Sequence, residues 1–431
     1  MRKIIIAFAC LISLQTVVAS DDVTVLTLDE CAAMALEHGS DAAVARNNVS
    51  AAVELRKEAF TKYFPEISAT GMAFWANHHM LEYNVLDMIE LGIIKKGRTA
   101  AIEAMQPIFV GGQIFNGNKL AEVGEEVARL RQTQTDDQLR LTVETLYWKL
   151  ATLKATRNTL EAAILTLDSL DAQVQAAVEA GIVMLNDKLK VQLKRNSYRS
   201  EMVDLDNGIK LVKMLLGQYV GLGTEGNIDI VADVPASAPG IPYDIFIPAE
   251  NALPATVDYQ LLGKNIRAKE LEKKIELGKN LPSVALGAGW VYHNLLEQNH
   301  NFATVLIGVN IPITAWWGGS HALKRKSLEV ENARLQFNDL SQKLQVRMQE
   351  KWDNLTAAHR KMEIEQEGIA QSRENLRLNR MYYEAGMSTI TDLLEAEASF
   401  KQASDGFIAA YGAYRVARAD YIITTGQTDK K

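Results

Sequence analysis

Apolar residues recur every seven positions along two long stretches of the sequence, from Leu139 to Val174 and from Leu323 to Tyr383. The second series contains one inserted tetrad, after Leu344. Sustained heptads with such an insertion are typical of coiled-coil packing with a stutter. Neither stretch contains proline, so nothing forces a break. The pattern predicts two helices, over 113–180 and 320–385, each about 100 Å long.

Four shorter segments alternate between apolar and small or polar residues, and each begins or ends at a proline. Segments of about ten residues suit tilted strands that cross an outer membrane. Their Gly- and Ala-rich composition also allows a small soluble sheet. The predicted strands are 65–77, 99–110, 282–293 and 302–314. Tryptophans in or beside them suit a membrane interface, and they are Trp75, Trp290, Trp316 and Trp317.

The landmarks recur at nearly constant offsets, with Gly181 and Gly386 lying 205 residues apart and Pro65 and Pro282 lying 217 apart. Tandem duplication explains this economically. The predicted organisation is a signal peptide 1–20, a first repeat 21–220, a Pro-rich segment 221–256 and a second repeat 257–431. Within the repeats, short breaks at 181–187 and 386–392 precede return helices at 188–216 and 393–425, and a further helix covers 257–280.

Composition narrows the function classes. The chain has 431 residues, 23% of them charged, and a net charge of −7, which argues against nucleic acid as a partner. Its first twenty residues fit a secretory signal peptide, with Cys10 inside the apolar stretch. Cleavage would leave Cys31 alone, as a small buried residue, so no internal disulfide is possible.

Four strands cannot close a barrel, and an open sheet edge cannot face lipid. The smallest outer-membrane barrels use eight strands, and bacterial ones have even numbers. A membrane-inserted form of this chain must therefore oligomerise.

Catalytic signatures are missing from the sequence: it has no Ser-His-Asp arrangement, HExxH, phosphate-binding glycine loop or CxxC. The sequence thus predicts a protein that is not an enzyme and needs no cofactor or metal. His78, His79, His293 and His300 are interpreted as exposed polar residues of the strand loops in preference to metal ligands.

The chain resembles the TolC family of outer-membrane efflux proteins. The resemblance rests on the opening "LTLDECAAMALEHGSDAAVARNNVSAA", the strand start "FPEISATG", the junction "QPIFVGGQ", both Ala-Gly breaks and the duplication. It implies a mainly α fold with a small β part: a homotrimer whose chains each give four strands to one twelve-stranded outer-membrane barrel. A long periplasmic α-helical coiled-coil barrel continues it, with 221–256 in a belt around its middle.

The resemblance also implies that the two Ala-Gly breaks are tips where the tunnel narrows and partners dock, at Gly181 and Gly386. Its gate positions fall on Asp392, Glu395, Tyr383, Ser388, Asp187 and Asn186. Glu395 replaces an aspartate and Ser388 stands where a tip arginine is found, so the latch is expected to differ. Threefold symmetry would gather six carboxylates that repel, favour cations and raise one another's pKa. Alternatively, Asp187 and Asp392 only cap the next helix, and Glu395 is solvated.

The function implied is a passive exit duct of a tripartite efflux pump in the outer membrane of a Gram-negative bacterium. Its partners would be outer-membrane lipid, a periplasmic adaptor (membrane fusion) protein and an inner-membrane transporter of RND or ABC type. Two alternatives stay open: the same duct used for type I protein secretion, and a non-conducting periplasmic coiled-coil spacer.

Overall fold

Two helices of 67 and 70 residues account for a third of the chain. A computed structural model describes residues 23–427, apart from 86–88, 226, 236, 241 and 296–297, so the predicted signal peptide and Cys10 lie outside the described residues. The elements in order are β1 (Thr24–Leu26), α1 (Leu28–His38), α2 (Ser40–Thr61), β2 (Glu66–Trp75), β3 (Leu81–Val85), β4 (Ile89–Ile93), β5 (Lys96–Val110), α3 (Gln113–Glu179), α4 (Leu185–Tyr219), β6 (Ile228–Ile230), α5 (Ala249–Ala252), α6 (Val257–Lys279), β7 (Ser283–Asn294), β8 (His300–Asn310), α7 (Ala315–Glu384) and α8 (Ile390–Thr424).

The described helices include none that is both long enough and apolar enough to cross a membrane.

One compact unit comprises the described parts of Met1–Ala35, Val143–Ala236 and Ile369–Ile408. Its core is made where α3, α4 and α8 pack together, and heptad positions of α3 supply much of it. The buried members of this cluster are Leu160, Leu167, Leu170, Val174, Val191, Tyr198, Ile390, Leu393 and Leu394. Burying each large aliphatic side chain contributes about 1.5–3 kcal/mol. The apolar heptad therefore holds these helices together.

A polar cluster fixes how the same three helices pack. The Lys401 ammonium of α8 donates to Glu201 of α4 and to Asp405, both at 2.7 Å, and lies 5.4 Å from the Tyr198 ring centre. Thr159 of α3 donates to Asp405 at 2.9 Å. Hydrogen bonds to charged groups require a particular geometry, so this cluster sets the register that apolar contacts alone would leave loose.

The second unit comprises Leu36–Thr142, Ser237–Gly368 and the described part of Ala409–Lys431. It contains a four-stranded antiparallel sheet in the order β2-β5-β7-β8. The predicted strands 65–77 and 99–110 correspond to β2 and β5, but β5 begins earlier, at Lys96. The connection between β2 and β5 holds an additional pair of antiparallel strands, β3 and β4, which the sequence pattern did not predict.

Two glycines connect β5 to α3 in the second unit. Gly111 and Gly112 have φ of 63° and 74°, a left-handed backbone that disfavours other residues. A Cβ on Gly111 would also lie 2.1 Å from the carbonyl oxygen of Gly278 in α6. The "GG" of the strand-to-helix junction is therefore required both by the turn and by the close approach of α6.

Part of the Pro-rich segment packs on α7 and α8 within the second unit. Phe246 lies 4.7 Å from Trp352 of α7, ring centre to ring centre, and Trp352 lies 5.2 Å from Tyr421 of α8. The Tyr421 hydroxyl accepts a hydrogen bond from the Ile247 N–H at 3.0 Å. The aromatic stack and its hydrogen bond hold a segment that has little regular structure of its own.

Candidate functional site

Both long helices end in the same turn. Gly181 and Gly386 have φ of 73° and 74°. At the first turn the Ile182 N–H donates to the Ala177 carbonyl at 2.9 Å, and the equivalent bond at the second turn is 2.8 Å. Each glycine N–H also donates to the carbonyl three residues earlier, at 3.0 Å. These bonds form a Schellman motif, in which the left-handed position favours glycine.

A capping box starts the return helix at the second tip. The Asp392 carboxylate accepts hydrogen bonds from the Thr389 N–H at 2.9 Å, the Thr389 hydroxyl at 2.7 Å and the Ser388 hydroxyl at 3.1 Å. The Asp392 N–H donates to the Thr389 hydroxyl oxygen at 3.2 Å. Thr389 is thus the N-cap, and Asp392 fills the place that Glu or Gln takes in the usual motif.

These bonds favour the charged form of the Asp392 carboxylate. The Thr389 hydroxyl, the Thr389 N–H and the Ser388 hydroxyl, in that order, lower its pKa below the usual value. Within one chain, Asp392 therefore has the helix-capping role that was the alternative interpretation. Its return helix begins at Ile390, so Asp392 lies in the first turn of α8 and not in the break.

The first tip is built differently. Its return helix begins at Leu185, and the N-cap, Met184, makes no side-chain cap bond. Asp187, in the first turn, pairs with Lys190 at 3.1 Å. The Lys190 ammonium also donates to the Thr391 hydroxyl at 3.1 Å and so joins α4 to α8. Asn186 is exposed.

Two of the predicted gate residues lie beside these groups in contrasting surroundings. Tyr383 is half-buried against the apolar cluster of the first unit. Burial, and secondarily the charge of Asp187, raise its pKa. Glu395 is exposed, and among the described residues its carboxylate has no hydrogen-bond or salt-bridge partner. Like the exposed Glu384 before the turn, Glu395 is free to act on something outside the chain.

Lys190, Thr389 and the pair Arg380–Glu397 were not singled out from the sequence. Arg380 of α7 contacts Glu397 of α8 at 2.6 Å. The sequence does indicate Thr389, because Thr389 and Asp392 have the spacing of a capping box. It also indicates Lys190, which lies three residues after Asp187 on a helix. The Arg380–Glu397 pair joins two helices, and one-dimensional spacing has no equivalent signal.

The first tip also exposes large apolar side chains. Ile182 and Met184 are 79% and 76% exposed, and Leu185 is 59% exposed. Met387 takes the place of Ile182 at the second tip and is 71% exposed. Contiguous exposed apolar groups mark interaction sites more often than chance. We call Ile182, Met184, Leu185 and Met387 the tip surface.

The register of the sheet separates its residues into two unlike faces. Directly paired residues lie on the same face. Successive rows across the four strands are Ile67-Ala104-Ala288-Val305 and Ala69-Ile102-Trp290-Ala303 on one face, and Ser68-Glu103-Gly289-Thr304 between them on the other. The two rows of the first face are apolar, whereas the second face is mixed, because another of its rows is Thr70-Ala101-Val291-Phe302. Large apolar side chains are exposed on both faces, at 78% for Val305 on the first and 47% for Phe302 on the second.

The predicted interface tryptophans lie at or near this sheet. Trp75 ends β2 and is 79% exposed, and Trp290 lies within β7 at 45% exposure. Trp317 is 80% exposed and stands in the first turn of α7, which begins five residues earlier than predicted. The side chain of Trp316 lies outside the described part of the structure.

Among the described residues, no group of three or more His, Cys, Asp or Glu could hold a metal ion. His78 and His79 are exposed in the loop after β2. His293 and His300, however, are brought together as paired residues of β7 and β8.

Comparison with known proteins relates one part of the chain to a known family. Residues 271–421 match the outer membrane efflux protein family. Among curated protein sequences, none matches the chain.

Solved structures match far more of the chain. VceC of Vibrio cholerae is 15% identical, with a TM-score of 0.76 over 93% of this chain and 96% of VceC. The CmeC outer membrane channel of Campylobacter jejuni is 12% identical, with a TM-score of 0.79 over 93% of this chain and 85% of CmeC. The MtrE outer membrane channel of Neisseria gonorrhoeae is 15% identical, with a TM-score of 0.73 over 93% of this chain and 88% of MtrE.

The mainly helical fold with a small sheet part is therefore confirmed, as is the resemblance on which it was predicted. Residues 271–421 match the outer membrane efflux protein family, and the chain has the fold of TolC-like outer-membrane channels.

Proposed function

We propose that the chain is one third of a homotrimeric exit duct in the outer membrane, through which small molecules leave the periplasm. The observation that carries this proposal is the four-stranded sheet with large, exposed apolar side chains, among them Ile67, Val305 and Ile307. Exposed apolar side chains on strands of about ten residues suit the wall of a barrel in contact with lipid.

The sheet also needs further copies of itself. In the described part of the chain, β2 and β8 are its edges, and each pairs on one side only. Unpaired backbone groups in hydrocarbon cost several kcal/mol each, so an open edge there is untenable. Three chains supply twelve strands, an even number that closes a barrel with no free edge.

The tips are suited to docking of partner proteins that supply the energy for transport. The tip surface is apolar and exposed, and the tips lie at the ends of the long helices opposite to the ends joined to the strands. An adaptor protein of the periplasm would bind there and connect the duct to an inner-membrane transporter of RND or ABC type. The substrates would be drugs, toxic compounds or metal ions selected by that transporter.

Gating in this proposal rests on acids at the second tip. Asp392 is held by its capping bonds and supplies a fixed negative charge, whereas the Glu395 carboxylate is free to move. Around a threefold axis the two acids would form a ring that favours cations and binds multivalent ones most strongly. Tyr383 and Lys190 would hold the two tips of one chain together around that ring.

Conductance in planar bilayers tests the duct. The purified full-length protein is expected to form cation-preferring channels and to appear threefold symmetric by electron microscopy in detergent. Silent bilayers from protein shown to be inserted, or particles without threefold symmetry, would contradict the proposal and favour a structural spacer.

The acidic ring has a separate test. Replacing both acids, Asp392→Ala with Glu395→Ala, is expected to raise conductance and weaken block by a trivalent cation by about tenfold or more. Glu331→Gln removes an exposed acid of α7 outside the tip and serves as the control. Unchanged block in the double variant would overturn the ring and leave the duct itself standing.

A further inference from the structure

Two histidines face each other across the hairpin of β7 and β8. His293 and His300 are directly paired residues, next to the turn of the hairpin. The row to which they belong runs Met72-Thr99-His293-His300, on the face of the sheet that also carries Phe302. Directly paired side chains on one face lie within reach of one another.

The separation of the two rings fits a shared metal ion. The ring centres are 5.3 Å apart and the ring planes are inclined by 29°. Two imidazoles that bind one ion, with metal–nitrogen distances of about 2.0–2.1 Å, place their ring centres about 5 Å apart. Small side-chain rotations would therefore direct one nitrogen of each ring at a common point without backbone movement.

One ring nitrogen of His293 needs a partner. Its Nδ1 is shielded from solvent and makes no hydrogen bond within the described structure. A shielded polar atom left unpaired costs free energy. Binding to a metal ion would supply the missing partner.

The surroundings hold the two histidines in place. The Phe302 ring lies 6.1 Å from His293, edge to face. The Tyr292 hydroxyl and the Asn294 amide both donate to the Asn299 side-chain oxygen, at 2.8 and 2.7 Å. These contacts tie β7 to the residue before His300, so little conformational entropy is lost when a ligand binds.

We propose that His293 and His300 form a binding site for a divalent transition-metal ion, with solvent completing the coordination. Imidazole pairs suit copper, nickel and zinc, and the Irving–Williams order favours Cu²⁺ among them. The site rests on the hairpin alone and is independent of whether the chain conducts.

Copper titration of the full-length protein in detergent tests the proposal. We expect about one Cu²⁺ per chain, with an electron paramagnetic resonance spectrum that shows two nitrogen ligands. His293→Gln and His300→Gln are each expected to weaken binding by about tenfold or more, because loss of one ligand ends chelation. Circular dichroism confirms that each variant is folded.

The double variant His78→Gln with His79→Gln is the matched control, because it removes two exposed histidines of another loop. It is expected to keep the ion and the spectrum. Absence of saturable binding, or binding that survives loss of both His293 and His300, would show that the pair is only a stacked cross-strand contact.

Discussion

The two tips share one backbone and differ in their side chains. Gly181 and Gly386 end long helices with the same left-handed turn and the same pair of hydrogen bonds. The helix that follows starts without a side-chain cap at Met184 but with a capping box at Thr389. Near the start of its return helix the first tip has a cation–acid pair, and the second has two acids.

This difference shows that the reversal of the chain at a tip and the charge of that tip are set by different residues. The glycine reverses the chain, and it is present in both repeats because only the backbone matters there. The residues after the turn have diverged. Lys190 and Glu395 hold equivalent places, 205 residues apart, with opposite charges. One tip is therefore suited to binding its neighbouring helix, and the other to presenting a free carboxylate.

Alanine at either tip glycine should have the largest effect on stability, and nearly the same effect at both. Gly181→Ala and Gly386→Ala place a Cβ on a left-handed backbone, which costs about 1–2 kcal/mol. Neither Cβ would clash, since nothing lies within 4 Å of its position, so the cost is one of conformation alone. Thermal unfolding in detergent, followed by circular dichroism, measures it.

Gly124→Ala is the matched control for these variants. Gly124 lies within α3, is exposed and also has open space around its Cβ position. Alanine there should stabilise the helix by about 0.5–1 kcal/mol. If the tip variants behaved like this control, the glycines would not be needed for the turns.

Loss of the N-cap residue should reduce stability at the second tip but not at the first. Thr389→Ala loses the N-cap of α8 and should destabilise the protein by about 1 kcal/mol. Met184→Ala, the equivalent change at the first tip, should have almost no effect, because Met184 makes no cap bond. Equal losses in the two variants would contradict the contrast between the tips.

The reverse change sharpens the same contrast. Met184→Thr places threonine three residues before Asp187 and creates the spacing of a capping box at the first tip. The variant should gain up to about 1 kcal/mol, read as a higher unfolding midpoint. No gain would indicate that Lys190 holds Asp187 too firmly for it to cap.

Much of the fold could be predicted from periodicity. The heptad positions Leu160, Leu167, Leu355 and Met362 are all at most 1% exposed, because a repeat of seven keeps one face of a helix against its neighbours. The hairpin β3–β4 escaped prediction. Its two five-residue strands are short for a period-two pattern to stand out from a loop.

The structure has turns at the two predicted glycines, whereas the gate role of the residues around them stays a prediction. The residue types at the tips were evident, yet the sequence left open whether Asp392 capped a helix or faced a pore. The choice depends on hydrogen-bond geometry, which spacing does not fix. The pairing of His293 with His300 was equally hidden, since it depends on the register of two strands and on the turn between them.

The capping acid should make the second tip sensitive to low pH. Because its capping bonds lower the pKa of Asp392 in the folded chain, its contribution to stability is complete above the pKa of the unfolded chain, about 3.9. That contribution is lost as the pH falls through the lower, folded pKa.

Asp392→Asn isolates the contribution of the Asp392 carboxylate to the stability of the fold. The difference in unfolding midpoint between the parent protein and this variant should stay constant from neutral pH down to about pH 4 and shrink below it. Subtracting the variant removes the titration of the other acids. A difference that grew as the pH fell would mean that the carboxylate is not stabilised by its capping bonds.

The smallest effect on stability is expected at Lys190, where the first tip holds the second. Lys190→Met removes a partly exposed pair with Asp187 and a hydrogen bond to Thr391. Such pairs are worth about 0.2–1 kcal/mol, so the unfolding midpoint should hardly move. Conductance should respond more, because Lys190 links α4 to α8 beside the proposed ring of acids.

The control Lys343→Met removes an exposed pair with Asp339 far along α7 from the tip. If both variants left conductance unchanged, the link between the tips would be structural only, and opening would depend on Glu395 and its neighbours in the other chains.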